Sequence, residues 1–234
     1  MKIEGLGGKI SYNPPKNKNP KKFKDFLRLN LLDLSTLTLI LSNIITIVIA
    51  VYNNWNVFTL MWVYLFQSII IGIFTFIKIR NLKNFTTQGL KINNKQVPEN
   101  EETKKSASNK FLKSFLFFHF IYIFFLLTFS NMPIFLSEDN LILKNIPLIL
   151  LSIIIFFFNH LFSYIYNREK DSEKVKILGE IIFHPFSRIL PMHLTIIFMG
   201  FVSVFADANA TLLIFFFVIK TIADVIMHEK EHEL

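Results

Sequence analysis

Apolar residues in this chain gather into six long runs separated by short polar segments. The runs are approximately Leu31 to Tyr52, Val57 to Ile79, Phe111 to Leu136, Leu141 to Tyr166, Ile189 to Ala206 and Ala210 to Met227. A helix needs roughly twenty apolar residues to cross a hydrocarbon layer about 30 Å thick, and inside that layer its backbone hydrogen bonds must close within the segment. The pattern therefore predicts an all-α, polytopic membrane helix bundle with six transmembrane helices.

The composition agrees with a membrane protein and limits its chemistry. Of 234 residues, 52% are hydrophobic and 28 are phenylalanine, which is more apolar surface than a water-soluble domain of this length buries. The chain has no cysteine, so disulfides, thiolate metal sites and cysteine nucleophiles are excluded. A metal would need histidine, carboxylate or amide ligands. The first run has no small-residue cleavage signature after it, and we expect it to remain a membrane segment.

The basic residues indicate an orientation. Lysine and arginine gather in the first 30 residues and in the connections 80–110 and 167–188, while the short connections after the first, third and fifth runs contain neither. Because positive loops stay on the cytoplasmic side, we predict a multi-pass protein of the cell membrane with both termini cytoplasmic. The same placement explains the net charge of +8 without a nucleic-acid partner, and none is expected.

The polar segments suggest three regions. Residues 1–30 are predicted to be a basic, disordered cytoplasmic tail, whose prolines oppose helix and whose lysines contact anionic lipid head groups. Residues 31–228 form the six-helix membrane domain, with a flexible cytoplasmic loop at 80–110 because that segment is polar and lacks periodicity. Residues 229–234 are a charged C-terminal end.

Ionisable side chains lie inside the apolar runs at one depth. Counted from the predicted cytoplasmic helix ends, His119, His160, His193 and Lys220 lie roughly 8 to 12 Å below the inner surface, and Asp224 lies about 5 Å below it. A charged residue in mid-span costs about 2.5 to 3.5 kcal/mol, so these groups need partners. Contacts that only join helices could be made by Ser, Thr or Asn at lower cost than by ionisable side chains. We therefore interpret this layer as a functional site.

Histidine nitrogen combined with carboxylate oxygen suits a zinc or iron ion, and an open coordination position would allow reaction with a lipid-like substrate. The predicted metal ligands are His119, His160, His193 and Asp224. The predicted polar network around them contains Lys220, Arg188, Tyr64, Gln67 and His228.

Two alternatives stay open, and so does the question of whether the protein is an enzyme. The histidines with Lys220 and Asp224 would also suit the proton relay of a proton- or ion-coupled small-solute transporter. The chain would otherwise be a non-catalytic subunit whose apolar surface contacts another membrane protein or a second copy of itself.

Two further patterns have a structural interpretation. The sequence from His228 to His232 spells H-E-x-x-H, but it follows the last apolar run and has no third ligand after it, so we interpret it as a charged helix end. Small polar residues recur at helical spacing in the first two runs, and their default role is close helix packing. These residues are Ser35, Thr38, Ser42 and Thr46, with Asn43 alongside, and Tyr64, Ser68, Gly72 and Thr75.

Several short segments resemble a family of multispan prokaryotic membrane proteins, domain of unknown function 6498. They are "WNVFTLMWVYLFQSIIIG", "FFHF", His160, "PFSRILPMHLTIIFMG" and "KTIADVIMH". By position, the resemblance implies importance for Trp55, Tyr64, His119, His160, Arg188, His193, Gly200, Lys220, Asp224 and His228. Gln67 departs from the family pattern, which typically has glutamate there, so a carboxylate role at this position does not carry over.

Overall fold

The computed structural model describes residues 2–5, 8–14, 34–55, 57–130, 141–172, 175–187, 220–222 and 225. The chain is mostly helical. The long helices are α1 (Leu34–Tyr52), α2 (Val57–Asn81), α3 (Glu101–Ser130) and α4 (Leu141–Ser172), followed by α5 (178–187) and the helical residues 220–222. The strands are β1 (Lys2–Gly5), β2 (Gly8–Tyr12), β3 (Phe85–Thr86), β4 (Leu90–Ile92), β5 (Lys95–Gln96) and β6 (Lys176–Ile177).

Helices α1 to α4 are long and apolar enough to cross a membrane, and they indicate a membrane location. They coincide with the first four predicted spans. The predicted fifth and sixth spans lie outside the described residues, apart from residues 220–222 and 225. Helix α2 packs against α3 and α4, and α1 packs against α4.

The distribution of side chains in α1 is the reverse of that in a water-soluble helix. Its buried residues are mostly small or polar, whereas its exposed residues are large and apolar. Ser42 and Thr46 donate hydrogen bonds to carbonyl groups of their own helix, so these hydroxyls remain satisfied inside the bundle. Both small polar stripes noted in the sequence are thus directed largely inward, toward the other helices.

A tight turn joins α1 to α2. Asn54 has a φ of 50°, the N–H of Asn54 bonds to the carbonyl of Val51, and the N–H of Trp55 bonds to the carbonyl of Ala50. This is a Schellman ending, in which a left-handed residue stops the helix and satisfies its last carbonyls. The turn fixes how α2 returns alongside the bundle.

Helix α3 begins within the segment predicted to be a flexible loop. Helix α3 starts at Glu101 and not at Phe111, because the side chain of Asn100 caps the N–H of Thr103 at 2.8 Å. Glu101 and Glu102 complement the positive end of the helix dipole. The ammonium of Lys104 donates to the carbonyl of Leu82, just beyond the end of α2. Caps and charges therefore extend the helices beyond their apolar sequence.

The all-α prediction omitted a four-stranded antiparallel sheet in the order β1-β2-β4-β5, which we name the sheet cap. Ile10 lies opposite Ile92, and Tyr12 lies opposite Leu90. These side chains join a second apolar core with Leu82, at the end of α2, and Phe111 of α3. Residues 2–5, 8–12 and 85–96 thus contain strands where a disordered tail and a flexible loop were predicted, because β2 of the N-terminal segment pairs with β4 and extends the β4–β5 pair of the loop.

The sheet cap also binds the connection after α4. A Cβ at Gly179 would lie 2.3 Å from the Tyr12 ring, so only glycine leaves room for that ring on α5. The Tyr12 hydroxyl donates a hydrogen bond of 3.0 Å to Glu180. Burial, the charge of Glu180 and this hydrogen bond raise the pKa of Tyr12. Tyr12 therefore links the connection between α2 and α3, where it lies opposite Leu90, to Gly179 and Glu180 after α4.

Replacing Gly89 tests the pairing of β2 with β4. Gly89 has a φ of +74°, and an added Cβ would lie 2.2 Å from the carbonyl oxygen of Asn13. We expect Gly89→Ala to destabilise the sheet cap by about 1–3 kcal/mol and to accelerate amide hydrogen exchange in β2 roughly tenfold or more. The control Gln88→Ala, at an exposed neighbouring position, leaves the exchange unchanged. Equal exchange in both variants would contradict the pairing.

Candidate functional site

The ammonium group of Lys220 is the centre of the candidate site. Lys220 is 6% exposed, and its Nζ donates hydrogen bonds to Asn43 Oδ1 at 2.9 Å and to Gln67 Oε1 at 2.6 Å. The same atom lies 3.9 Å from the centre of the Tyr64 ring and 5.3 Å from that of Phe156. Two amide oxygens and two ring faces thus surround one ammonium, and we name these four residues the ammonium box.

Each group of the ammonium box is positioned by its own helix. Asn43 donates its amide N–H to the carbonyl of Leu39 on α1, so its oxygen is left to face Lys220. Gln67 is 2% exposed and turns its oxygen to the ammonium; its Nε2 has no hydrogen-bond partner within the described part of the chain. Tyr64 lies three residues before Gln67, on the same face of α2. The box is therefore built from α1, α2 and α4 around a lysine from a later segment.

The electrostatics of this box favour a cation. Carbonyl oxygens of amides carry partial negative charge, and aromatic faces attract ammonium groups by about 2 kcal/mol or more when water is excluded. These contacts offset part of the cost of placing a charge among apolar helices. The four groups of the box are themselves neutral, so it holds a positive charge without a formal negative charge of its own.

His119 lies beside the box and has both ring nitrogens engaged. Its Nδ1 is 2.9 Å from the carbonyl oxygen of Phe115, which can only accept, so Nδ1 carries the proton. Its Nε2 is 3.0 Å from the Ser68 hydroxyl. Ser68 follows Gln67 directly, so His119 and Lys220 attach to consecutive residues of α2. The placement of both residues at one membrane depth stays a prediction.

Gly72 sets the position of the histidine. A Cβ at Gly72 would lie 2.3 Å from the Phe115 ring. That ring in turn packs on His119 with centroids 4.1 Å apart. The close approach of α3 to α2 at this glycine therefore brings the imidazole within reach of Ser68, one helical turn earlier.

His160 is buried in α4, one helical turn after Phe156. Its neighbour Asn159 is also buried, and Asn159 Oδ1 has no hydrogen-bond partner among the described residues. The structure places His160 inside the bundle, and its role as a metal ligand stays a prediction. Among the described residues, no group of three His, Asp or Glu side chains lies close enough to share a metal ion.

The remaining predicted site residues lie outside the described residues. They are Arg188, His193, Asp224 and His228, together with Gly200 from the resemblance. The predicted ion pair of Lys220 with Asp224 and the convergence of three histidines therefore stay predictions.

Sequence reasoning missed two residues of the box. Asn43 had a signal, because a large amide interrupts the apolar sequence "ILSNIITIV" in the middle of a span. Phe156 had none, since it stands within a run of phenylalanines whose directions depend on tertiary packing. Tyr64 was predicted as part of a polar network, but its contact with Lys220 is through the ring face.

These features define a class: a helical protein of membrane-spanning type with a lysine buried in its polar interior. The model of the family of unknown function DUF6498 matches residues 27–234, and the chain belongs to this family. No curated protein matches the chain, and no solved structure matches it.

Replacing Gln67 tests the ammonium box. Gln67→Leu removes an oxygen from a buried ammonium, and a hydrogen bond to a charged group contributes about 1.5–3 kcal/mol. We expect the free energy of unfolding in detergent to fall by that amount. Phe66→Leu, on the outward face of the same helix, changes it by about 0.5 kcal/mol or less. Similar losses in the two variants would show that Gln67 does not hold the ammonium.

Proposed function

We propose that the chain is a proton-coupled carrier of a small solute, in which Lys220 is the group that binds and releases the proton. The observation that carries this proposal is the buried ammonium on Asn43 and Gln67, inside helices that are otherwise apolar. Ionisable residues at such depth are costly and typically mark proton or substrate pathways.

The geometry suits a lysine that changes its charge. A neutral amine keeps two N–H groups, which match the oxygens of Asn43 and Gln67. The ring contacts with Tyr64 and Phe156 stabilise the charged form of the amine, whereas burial among apolar helices favours its neutral form. Loss of the proton therefore weakens the attraction between Lys220 Nζ and the box, and neither hydrogen bond has to break first.

A second proton-exchanging group lies beside the first. His119 and Ser68 form an imidazole–hydroxyl pair next to Gln67. Imidazole accepts and releases protons near neutral pH, and a hydroxyl passes a proton on by donating and accepting together. In this proposal the pair relays protons between the ammonium box and the outside of the bundle.

The proposed topology has six spans with both termini in the cytoplasm. The end of α2 carries Lys78 and Arg80, and the start of α3 carries Lys104 and Lys105, whereas the α1–α2 turn has no basic residue. The positive-inside rule places the sheet cap on the cytoplasmic side of the cell membrane. Lysines on that side would contact anionic lipid head groups.

Proton flux tests this function directly. Purified protein is placed in liposomes that contain a pH-sensitive dye, and candidate solute gradients are applied. In wild-type protein, we expect proton movement to be coupled to movement of the solute. Lys220→Met should reduce this proton flux roughly tenfold or more, because methionine binds no proton. Lys220→Arg keeps the charge but does not release its proton, so it also loses flux. Normal flux in Lys220→Arg would exclude the proposed proton exchange.

A metal site involving His160 is a second candidate function. The supporting observation is the burial of His160 one turn from Phe156 and thus near the ammonium box. Participation of His119 has less support, because both of its ring nitrogens are in hydrogen bonds.

Metal analysis of the detergent-purified protein tests this second candidate. Stoichiometric zinc or iron that is lost in His160→Ala, but kept in the outward-facing Phe158→Ala, would support the metal site. A content that is unchanged in His160→Ala, or that is below stoichiometric in wild-type protein, would exclude it.

A further inference from the structure

We infer that the ammonium box is a recognition site for a primary ammonium ion, that Lys220 occupies it in the present structure, and that the carried solute competes with Lys220 for it. This inference rests on the proposed function, since it names the class of solute for the same site.

Asn43 and Gln67 present oxygens that accept N–H groups at 2.9 and 2.6 Å. Such acceptors distinguish ammonium ions that carry N–H groups from quaternary ammonium ions, which have none. Calcium takes six to eight oxygen ligands and magnesium needs octahedral coordination, whereas the described part of the box offers two amide oxygens. The polar half of the box is therefore matched to a monovalent cation with N–H donors.

The aromatic half supports the same class. The ring of Tyr64 lies 3.9 Å from the nitrogen, and the rings of Tyr64 and Phe156 have centroids 6.4 Å apart. Ring faces bind ammonium groups and the carbons next to them, whereas a fully hydrated inorganic ion gains less from them. A primary alkylammonium would satisfy both halves of the box, as the lysine side chain does.

Competition with Lys220 gives a simple exchange. When Lys220 loses its proton, the box loses its positive charge, and its oxygens and rings become available to another cation. A bound ammonium ion restores that charge. One proton leaves for each cation that enters, so the total charge inside the bundle stays the same, and charge is expensive to change there.

Chemical rescue tests the inference without requiring transport. Lys220→Ala removes the side chain beyond Cβ, which has the composition of n-propylammonium. We expect n-propylammonium to raise the Tm of detergent-purified Lys220→Ala in a saturable manner, by roughly 2–4 °C or more, and to leave wild-type Tm unchanged. Tetramethylammonium at equal ionic strength should have no effect. The double variant Lys220→Ala with Gln67→Leu should lose the effect of n-propylammonium.

A second variant covers the case in which Lys220→Ala does not fold. Lys220→Met keeps most of the volume of the aliphatic part of the lysine side chain but has no ammonium group. Inorganic ammonium should therefore stabilise this variant, and the effect should be lost when Gln67→Leu is added. The inference is overturned if tetramethylammonium stabilises Lys220→Ala as much as n-propylammonium does, or Lys220→Met as much as inorganic ammonium does. It is also overturned if adding Gln67→Leu to either variant leaves the stabilisation unchanged. Rescue without proton flux in wild-type liposomes would refute the carrier alone, and flux without rescue would refute the inference alone.

Discussion

The burial of one ammonium group among apolar helices is the constraint on which the interior of this protein depends. The oxygens and rings of the box contact the charge of Lys220, and each of these groups needs a defined direction. The back-bond of Asn43 to Leu39 and the position of Tyr64 one turn from Gln67 give those directions. Loss of any one contact leaves the others to stabilise the same charge in a medium that does so poorly.

The protein combines two interiors with different composition. Between the helices, the buried residues include many small polar groups beside an apolar cluster, and many other large apolar residues face outward. Under the sheet cap, a cluster of aromatic and aliphatic residues is buried, and polar residues such as Lys91 and Gln96 face outward, as in a water-soluble domain. Helices α2 and α3 contribute side chains to both interiors, so the two clusters are joined through these helices.

Sequence reasoning was most successful where a single segment decides the outcome. The first four spans follow from apolar length, and Lys220, His119 and Gln67 were chosen because a polar group inside such a span must have a partner. The sheet cap was missed because β2 and β4 are separated by two long helices, and neither strand has a sufficient hydrophobic pattern alone. Phe156 could not be distinguished from its neighbours, since its role depends on where α4 packs. The family match covers the predicted membrane portion and assigns no activity.

The order of the box residues along the chain has a consequence for biosynthesis. The two oxygens belong to a helical hairpin made early, whereas the lysine is 177 residues after Asn43 and 153 after Gln67. Asn43 and Gln67 are therefore synthesised well before the lysine that their oxygens bind. A product that ended before Lys220 would leave both amide oxygens inside the bundle without the ammonium that they bind here.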